Sequence, residues 1–245
     1  MSVPTYWMYR TVTSSGGGEG VWGVCVIVLS VAGLCGGLPG AIVFFLSGGT
    51  PALVWIMGHS YVFWGAKRAE LRHSGRQLGF PREEASVHWL GTPGMLWGRV
   101  VPEVHRFARL DRPPDVLLLH VGGNDLGVRA MMDITRDIKF DILRLRMAFP
   151  DMIVVWSDIV ARTAWRMARS VAGINRARRK INRDVAKFVV RNGGLVVRHM
   201  ELEEETWRYL RGDGVHLSPV GIDMWVLGLQ DGIQRAIRVW RGTQG

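Results

Sequence analysis

The sequence predicts an α/β fold, a three-layer α/β/α sandwich built on a mainly parallel five-stranded sheet. Two features point there. Short apolar runs without a charged residue recur along residues 52–197, and stretches with helical apolar spacing separate them. The runs are Ala52–Met57 (ALVWIM), Val116–Val121 (VLLLHV), Met152–Trp156 (MIVVW) and Leu195–Val197 (LVV). Apolar residues at every position, on both faces, suit a strand covered by helices on both sides. Ser86–Leu90 (SVHWL) is a weaker fifth candidate. Between the runs, Ile134, Ile138, Ile142 and Leu145 recur at helical spacing, as do Ile174, Ile181, Val185 and Phe188. The second of these helices meets a stop signal at Gly193-Gly194. The last helix starts at Ser218-Pro219, a capping serine followed by proline in the first turn. Its predicted apolar face is Ile222, Val226, Leu229, Ile233, Ile237 and Trp240. Strands alternating with helices give a parallel sheet, and such sheets bind ligands beyond the carboxyl ends of their strands.

Composition narrows the class. Of 245 residues, 48% are hydrophobic and 21% charged, which excludes a disordered chain. Two cysteines exclude a disulfide-stapled scaffold and are too few for a zinc module. The net charge of +10 falls entirely after residue 50, because residues 1–50 hold one cation (Arg10) and one anion (Glu19). A boundary is therefore expected near Thr50, between an apolar, Gly-rich leader (1–50) and the α/β domain (51–245). Residues 21–46 carry no charge and are long enough to span a bilayer. Gly36-Gly37 and Pro39-Gly40 interrupt that stretch, and its apolar core begins later than in a signal peptide. A membrane anchor, a signal sequence and a non-native or disordered leader all stay open. The localisation stays open with them, membrane-associated in the first case and intracellular otherwise.

The chemistry gathers at the strand ends. The first strand runs into Gly58-His59-Ser60, the weak second into Gly91-Thr92-Pro93-Gly94, the third into Gly122-Gly123-Asn124-Asp125 and the fourth into Ser157-Asp158. Asp213-Gly214-Val215-His216 follows the fifth. A serine at a strand-to-helix turn can present its hydroxyl beside free backbone N–H groups. An asparagine amide can donate to a developing oxyanion. An aspartate three residues before a histidine can orient one ring nitrogen and leave the other for the serine.

At these residues the chain resembles the SGNH (GDSL-like) hydrolase superfamily, over about residues 51–240. The four blocks appear in order: Ser60, Gly94, Gly122-x-Asn124-Asp125 and Asp213-x-x-His216. The third and last are the specific ones, and in the second block both Gly91 and Gly94 are available. The resemblance implies a flavodoxin-like layered fold and a serine esterase acting through an acyl-enzyme. Ser60 would be the nucleophile, His216 the general base and Asp213 its orienting partner. The N–H groups of Ser60 and Gly94, with the Asn124 side chain, would form the oxyanion hole. Neither a metal nor an organic cofactor is implied. The substrate would be a small-molecule, lipid or sugar ester. One residue departs from the family pattern: His59 stands where the first block usually has aspartate, a residue that helps hold the nucleophile loop.

Other residues have plainer readings. His120 lies in an apolar run and reads as a hydrogen-bonded core residue, and Asp158 as a loop anchor. Trp64 and Trp97 follow site blocks and are candidates to line an acyl pocket. From Arg162 to Arg191 there are ten cations and one anion, Asp184. Helical apolar spacing makes this run the solvated face of a core-packed helix. The rival is a surface for nucleic acid or anionic headgroups on a catalytically weak or inactive protein of the same fold.

Overall fold

Ten elements alternate along the chain in the computed structural model, which describes residues 50–244. They are β1 (Ala52–Gly58), α1 (Ser60–Glu70), β2 (Ala85–Gly91), α2 (Val100–Leu110) and β3 (Val116–His120), then α3 (Met131–Ala148), β4 (Ile153–Ser157), α4 (Val171–Arg191), β5 (Leu195–Val197) and α5 (Pro219–Gly242). The strands lie in the order β2-β1-β3-β4-β5, and every neighbouring pair is parallel. The apolar segment 21–46 lies outside the described residues. Among those residues, no helix is long and apolar enough to cross a membrane.

Strand alternation sorts the core into two layers. Ala52, Val54 and Ile56 of β1 join one cluster with Val62 of α1 and Leu229 of α5. Leu53, Trp55 and Met57 of the same strand join the other, with Val104 of α2, Ile138 of α3 and Val185 of α4. The period of two in the strand thus feeds both helix layers at once. The chain runs outward from β1 to β2, then crosses back to place β3 on the other side of β1. That reversal opens a crevice at the carboxyl ends of β1 and β3.

The expected strands all form, with ends shifted by a residue in four of them. In α5 the serine cap is present, Ser218 Oγ accepting from the Gly221 N–H at 3.2 Å. Trp225, which the apolar face read from sequence omits, is fully buried, and Val226 is only partly covered. The larger departure concerns the basic stretch. Its helix begins at Val171, so Arg162, Arg166 and Arg169 belong to the loop after β4. Arg178, expected on a solvated face, is buried, with its guanidinium forked onto Glu203 by two 2.6 Å hydrogen bonds. The same guanidinium donates to the Ile159 carbonyl at 2.7 Å, and Asn182 bonds both backbone groups of Ile159 at 2.9 Å. One face of the basic helix is therefore turned inward, where it anchors the β4–α4 loop.

Close packing of α1 on the sheet depends on Gly91. A Cβ there would lie 2.3 Å from the Phe63 backbone nitrogen, whereas one at Gly212 would meet nothing within 4 Å. Gly91→Ala should lower the urea-unfolding free energy of the full chain by about 1–3 kcal/mol, the usual cost of overpacking. Gly212→Ala should stay within about 0.5 kcal/mol of the parent, as surface changes do. Equal effects at the two positions would contradict this packing.

Candidate active site

The site is built first by the turn from β1 into α1. Gly58 ends the strand where a Cβ would fall 2.2 Å from the His120 carbonyl oxygen. His59 caps the helix, its Nδ1 accepting from the Tyr61 N–H at 3.3 Å. Ser60 is thus the first helical residue, with the cap supplied by its neighbour. It is 7% exposed. Its hydroxyl makes no hydrogen bond among the described residues, and its N–H finds no acceptor there. Burial, then the charges of Arg162 and His216, push the His59 pKa well below its ordinary value. His59 is neutral, and a neutral ring accepting at Nδ1 carries its hydrogen on Nε2. It fills the capping role of an aspartate without bringing a negative charge.

The second part is the Asp213–His216 loop. Gly214 sits at φ +67°, and a Cβ on it would lie 2.4 Å from Thr163 Oγ1. Its carbonyl accepts from the N–H groups of Thr163 and Ala164, both at 3.0 Å. Asp213 Oδ1 accepts the N–H groups of Val215 and His216 at 2.9 Å, and Oδ2 takes His216 Nδ1 at 2.7 Å. Burial alone would raise the Asp213 pKa, but these donors outweigh it and hold the carboxyl at about 2. With Nδ1 committed to Asp213, Nε2 is the nitrogen left to accept a proton. Tyr61 joins the two halves, its hydroxyl donating to the Val215 carbonyl at 2.7 Å. The residue after Ser60 is thereby bonded to the residue before His216. Ser60 and His216 themselves share no hydrogen bond, a looseness common in sites without substrate.

Gly94 and Asn124 line one cavity of about 440 Å³. Gly94 has φ +75°, open space on its Cβ side and an N–H without an acceptor among the described residues. The two glycines of the second block therefore differ: Gly91 serves packing, and Gly94 faces the cavity. Asn124 donates one Nδ2 hydrogen to the Met95 carbonyl at 3.1 Å, and its Oδ1 accepts from Arg162 at 3.3 Å. Both ends of the amide are thus assigned, which leaves its second N–H for a ligand. Asp125 is buried behind it and accepts the Trp97 N–H at 2.9 Å, tying the third block to the segment that follows the second.

Several residues here escaped the sequence reading. Arg162 looked like one cation in a solvated run but lies buried in the site, its carbonyl held by Asn175 Nδ2 at 3.0 Å and Trp165 Nε1 at 3.2 Å. No local pattern marks it; only the length of loop between β4 and α4 could have separated it from the helix. His120, Ser157 and His199 form a buried chain, with Ser157 Oγ 2.9 Å from His120 Nδ1 and 2.8 Å from His199 Nε2. Neither tryptophan proposed for an acyl pocket borders the cavity of Gly94 and Asn124. Trp97 is buried with its Nε1 on Asp141, and Trp64 is half exposed beneath Arg211. Among the described residues, no three His, Cys, Asp or Glu side chains are grouped to hold a metal ion.

No protein-family model matches the sequence, and no curated protein matches it. Solved structures do match. A family 3 carbohydrate esterase of Clostridium thermocellum aligns at TM-score 0.56 and 16% identity, covering 80% of this chain and 100% of that one. A GDSL-like lipase from Bacteroides thetaiotaomicron aligns at TM-score 0.57 and 16% identity, covering 76% and 88%. The fold is that of the SGNH-type hydrolases. A carbohydrate esterase of family 3 from Talaromyces cellulolyticus shares it, at TM-score 0.53 and 16% identity over 76% and 98% of the two chains. In this chain the fold is a five-stranded parallel sheet flanked by helices.

The buried histidines make stability depend on pH. Burial is the largest cause lowering the pKa of His59, His120 and His199, and it takes His199 to about 3. The unfolded imidazoles take up protons below about pH 6.5, while the folded ones resist until much lower pH. Their contribution is therefore full above pH 6.5 and lost as the pH falls, at most about 1.4 kcal/mol per pH unit for each histidine. Asp158, raised to about 6 by burial, and Asp125, also raised by burial, work in the opposite sense as they take up protons first in the folded state. Urea unfolding at pH 7, 6 and 5 should show falling stability, and Asp158→Asn should steepen the fall while raising stability at pH 7. A level or rising profile would contradict neutral buried imidazoles.

Proposed function

We propose that this chain is a serine esterase that cleaves a carboxylic ester through an acyl-enzyme. The observation that carries the reading is the Tyr61–Val215 hydrogen bond, which ties the Ser60 turn to the loop where Asp213 holds His216. Neighbours described as a GDSL-like lipase, an acetyl esterase and carbohydrate esterases support the reaction class.

In this reading His216 Nε2 removes the Ser60 proton as Oγ attacks the ester carbonyl. Asp213, ionised down to about pH 2, steadies the imidazolium that forms. The carbonyl oxygen becomes an oxyanion within reach of the Ser60 and Gly94 N–H groups and the free Asn124 N–H. Collapse of this intermediate expels the alcohol, which takes its proton from His216. Water, deprotonated by the same imidazole, then releases the acid and regenerates Ser60. The substrate is a small-molecule ester, and no step requires a metal or cofactor.

Hydrolysis of 4-nitrophenyl acetate by the full chain tests this. Ser60→Ala should abolish turnover, and Asn124→Ala should cut kcat by about 10²–10³, the usual cost of one oxyanion donor. Near-parent activity in either variant would overturn the assignment. Tyr61→Phe keeps the ring and removes only the hydroxyl. It should lower kcat with little change in KM, and an unchanged kcat would mean that the Val215 tie does not align the site.

A further inference from the structure

Arg162 is the buried cation that the esterase chemistry does not use. It is 6% exposed, yet it forms no ion pair among the described residues. Arg178, the other deeply buried arginine, has the forked carboxylate of Glu203. The single geometric side-chain hydrogen bond of Arg162 there is the long one to Asn124, and its Nε is buried with no acceptor among the described residues. Its guanidinium lies 5.0 Å from the Trp165 ring centre and 5.6 Å from that of Tyr61. Burial lowers its pKa, and the Tyr61 hydroxyl and the charge of Asp213 offset this only in part. Burying a guanidinium without a counter-charge paired to it is costly, and the cost is recovered when an anion arrives.

The cavity beside it has the matching form. Its polar wall is Gly94, Gly123, Asn124, Arg162 and Arg166, with no carboxylate on any side. Arg166 is exposed at its edge and also unpaired among the described residues. Leu96, Val128 and Met167 supply an apolar wall that would cover a short carbon chain. The planar fork of a guanidinium suits a carboxylate, which can accept two of its N–H groups at once. The cavity shares Gly94 and Asn124 with the proposed oxyanion hole, so a group bound there belongs to the molecule whose ester is cleaved.

We propose that this cavity recognises a carboxylate on the substrate, so that the preferred ester carries a free carboxylate a few atoms from the bond cleaved at Ser60. The proposal rests on the esterase reading for its catalytic part and on the cavity alone for binding. Two measurements keep these separate. In the first, the full chain hydrolyses 4-nitrophenyl acetate and mono-4-nitrophenyl glutarate, each rate divided by its spontaneous hydrolysis. The anionic ester should be favoured at least tenfold in kcat/KM, mainly through KM. Arg162→Gln should bring the preference close to one, Arg166→Gln should reduce it several-fold, and added salt should weaken it. In the second, the Ser60→Ala variant is titrated calorimetrically with monomethyl glutarate and with methyl butyrate. The anionic ester should bind at least tenfold more tightly, and Arg162→Gln in that background should remove the difference.

If the neutral ester is turned over and neither measurement shows a preference for the anionic one, the carboxylate pocket is refuted and the esterase stands. If neither ester is hydrolysed but the titration keeps its preference, the esterase reading falls and the pocket stands as a carboxylate-binding site. Circular dichroism shows whether Arg162→Gln folds. If it does not, Arg166→Gln decides, and an unchanged preference in that variant overturns the proposal.

Discussion

A single hydrogen bond, from the Tyr61 hydroxyl to the Val215 carbonyl, spans 154 residues and holds two separately built pieces of the site in one place. Each piece is locally complete. The β1–α1 turn is fixed by its histidine cap and by Gly58 pressed on the β3 backbone. The Asp213–His216 loop is fixed by three bonds to one carboxylate and by Gly214 lodged against Thr163. Local completeness orients each side chain but cannot bring a serine to a histidine. That depends on the topology, which puts both loops at the carboxyl edge of the sheet, and then on Tyr61, buried beneath them. Its ring stacks on His120 and meets Trp225 of α5 edge-on, so the hydroxyl is delivered by the core itself.

Around that tie the interior is polar and sparingly charged. His59, His120 and His199 are held neutral by burial, and His120 and His199 share the hydroxyl of Ser157 between them. Neutral imidazoles can cap, accept and donate without placing a fixed charge under Ser60. A histidine before Ser60 fits this setting. The charge of Arg162 already acts on His59, so a carboxylate at position 59 would lie in the same field and offset it.

Much of this was legible in the sequence. The apolar runs marked the strands because a strand covered on both faces must be apolar at every position. The strand-end glycines and the Gly-x-Asn-Asp and Asp-x-x-His blocks could be recognised because each performs its task within a few consecutive residues. The Ser218 cap was legible for the same reason. What stayed hidden is tertiary. Arg162 and Arg178 look like their solvated neighbours, and only a folded chain shows one beside Asn124 and the other forked on Glu203. The choice between Gly91 and Gly94 turned on which one meets the Phe63 backbone, a contact made by α1 crossing the strand end. A helical stripe read from sequence fixes the face only to within a residue, so it holds Val226 where the fold buries Trp225.

The central claim is that Ser60 is an activated nucleophile. Its most direct test is exposure of the full chain to a fluorophosphonate, which reacts with a serine only when a neighbouring base takes the proton. Peptide mass analysis should find one adduct, on Ser60, formed in the parent and lost or strongly slowed in His216→Ala. A chain left unlabelled at concentrations that saturate a known serine esterase, or a Ser60 adduct formed equally fast without His216, would contradict it.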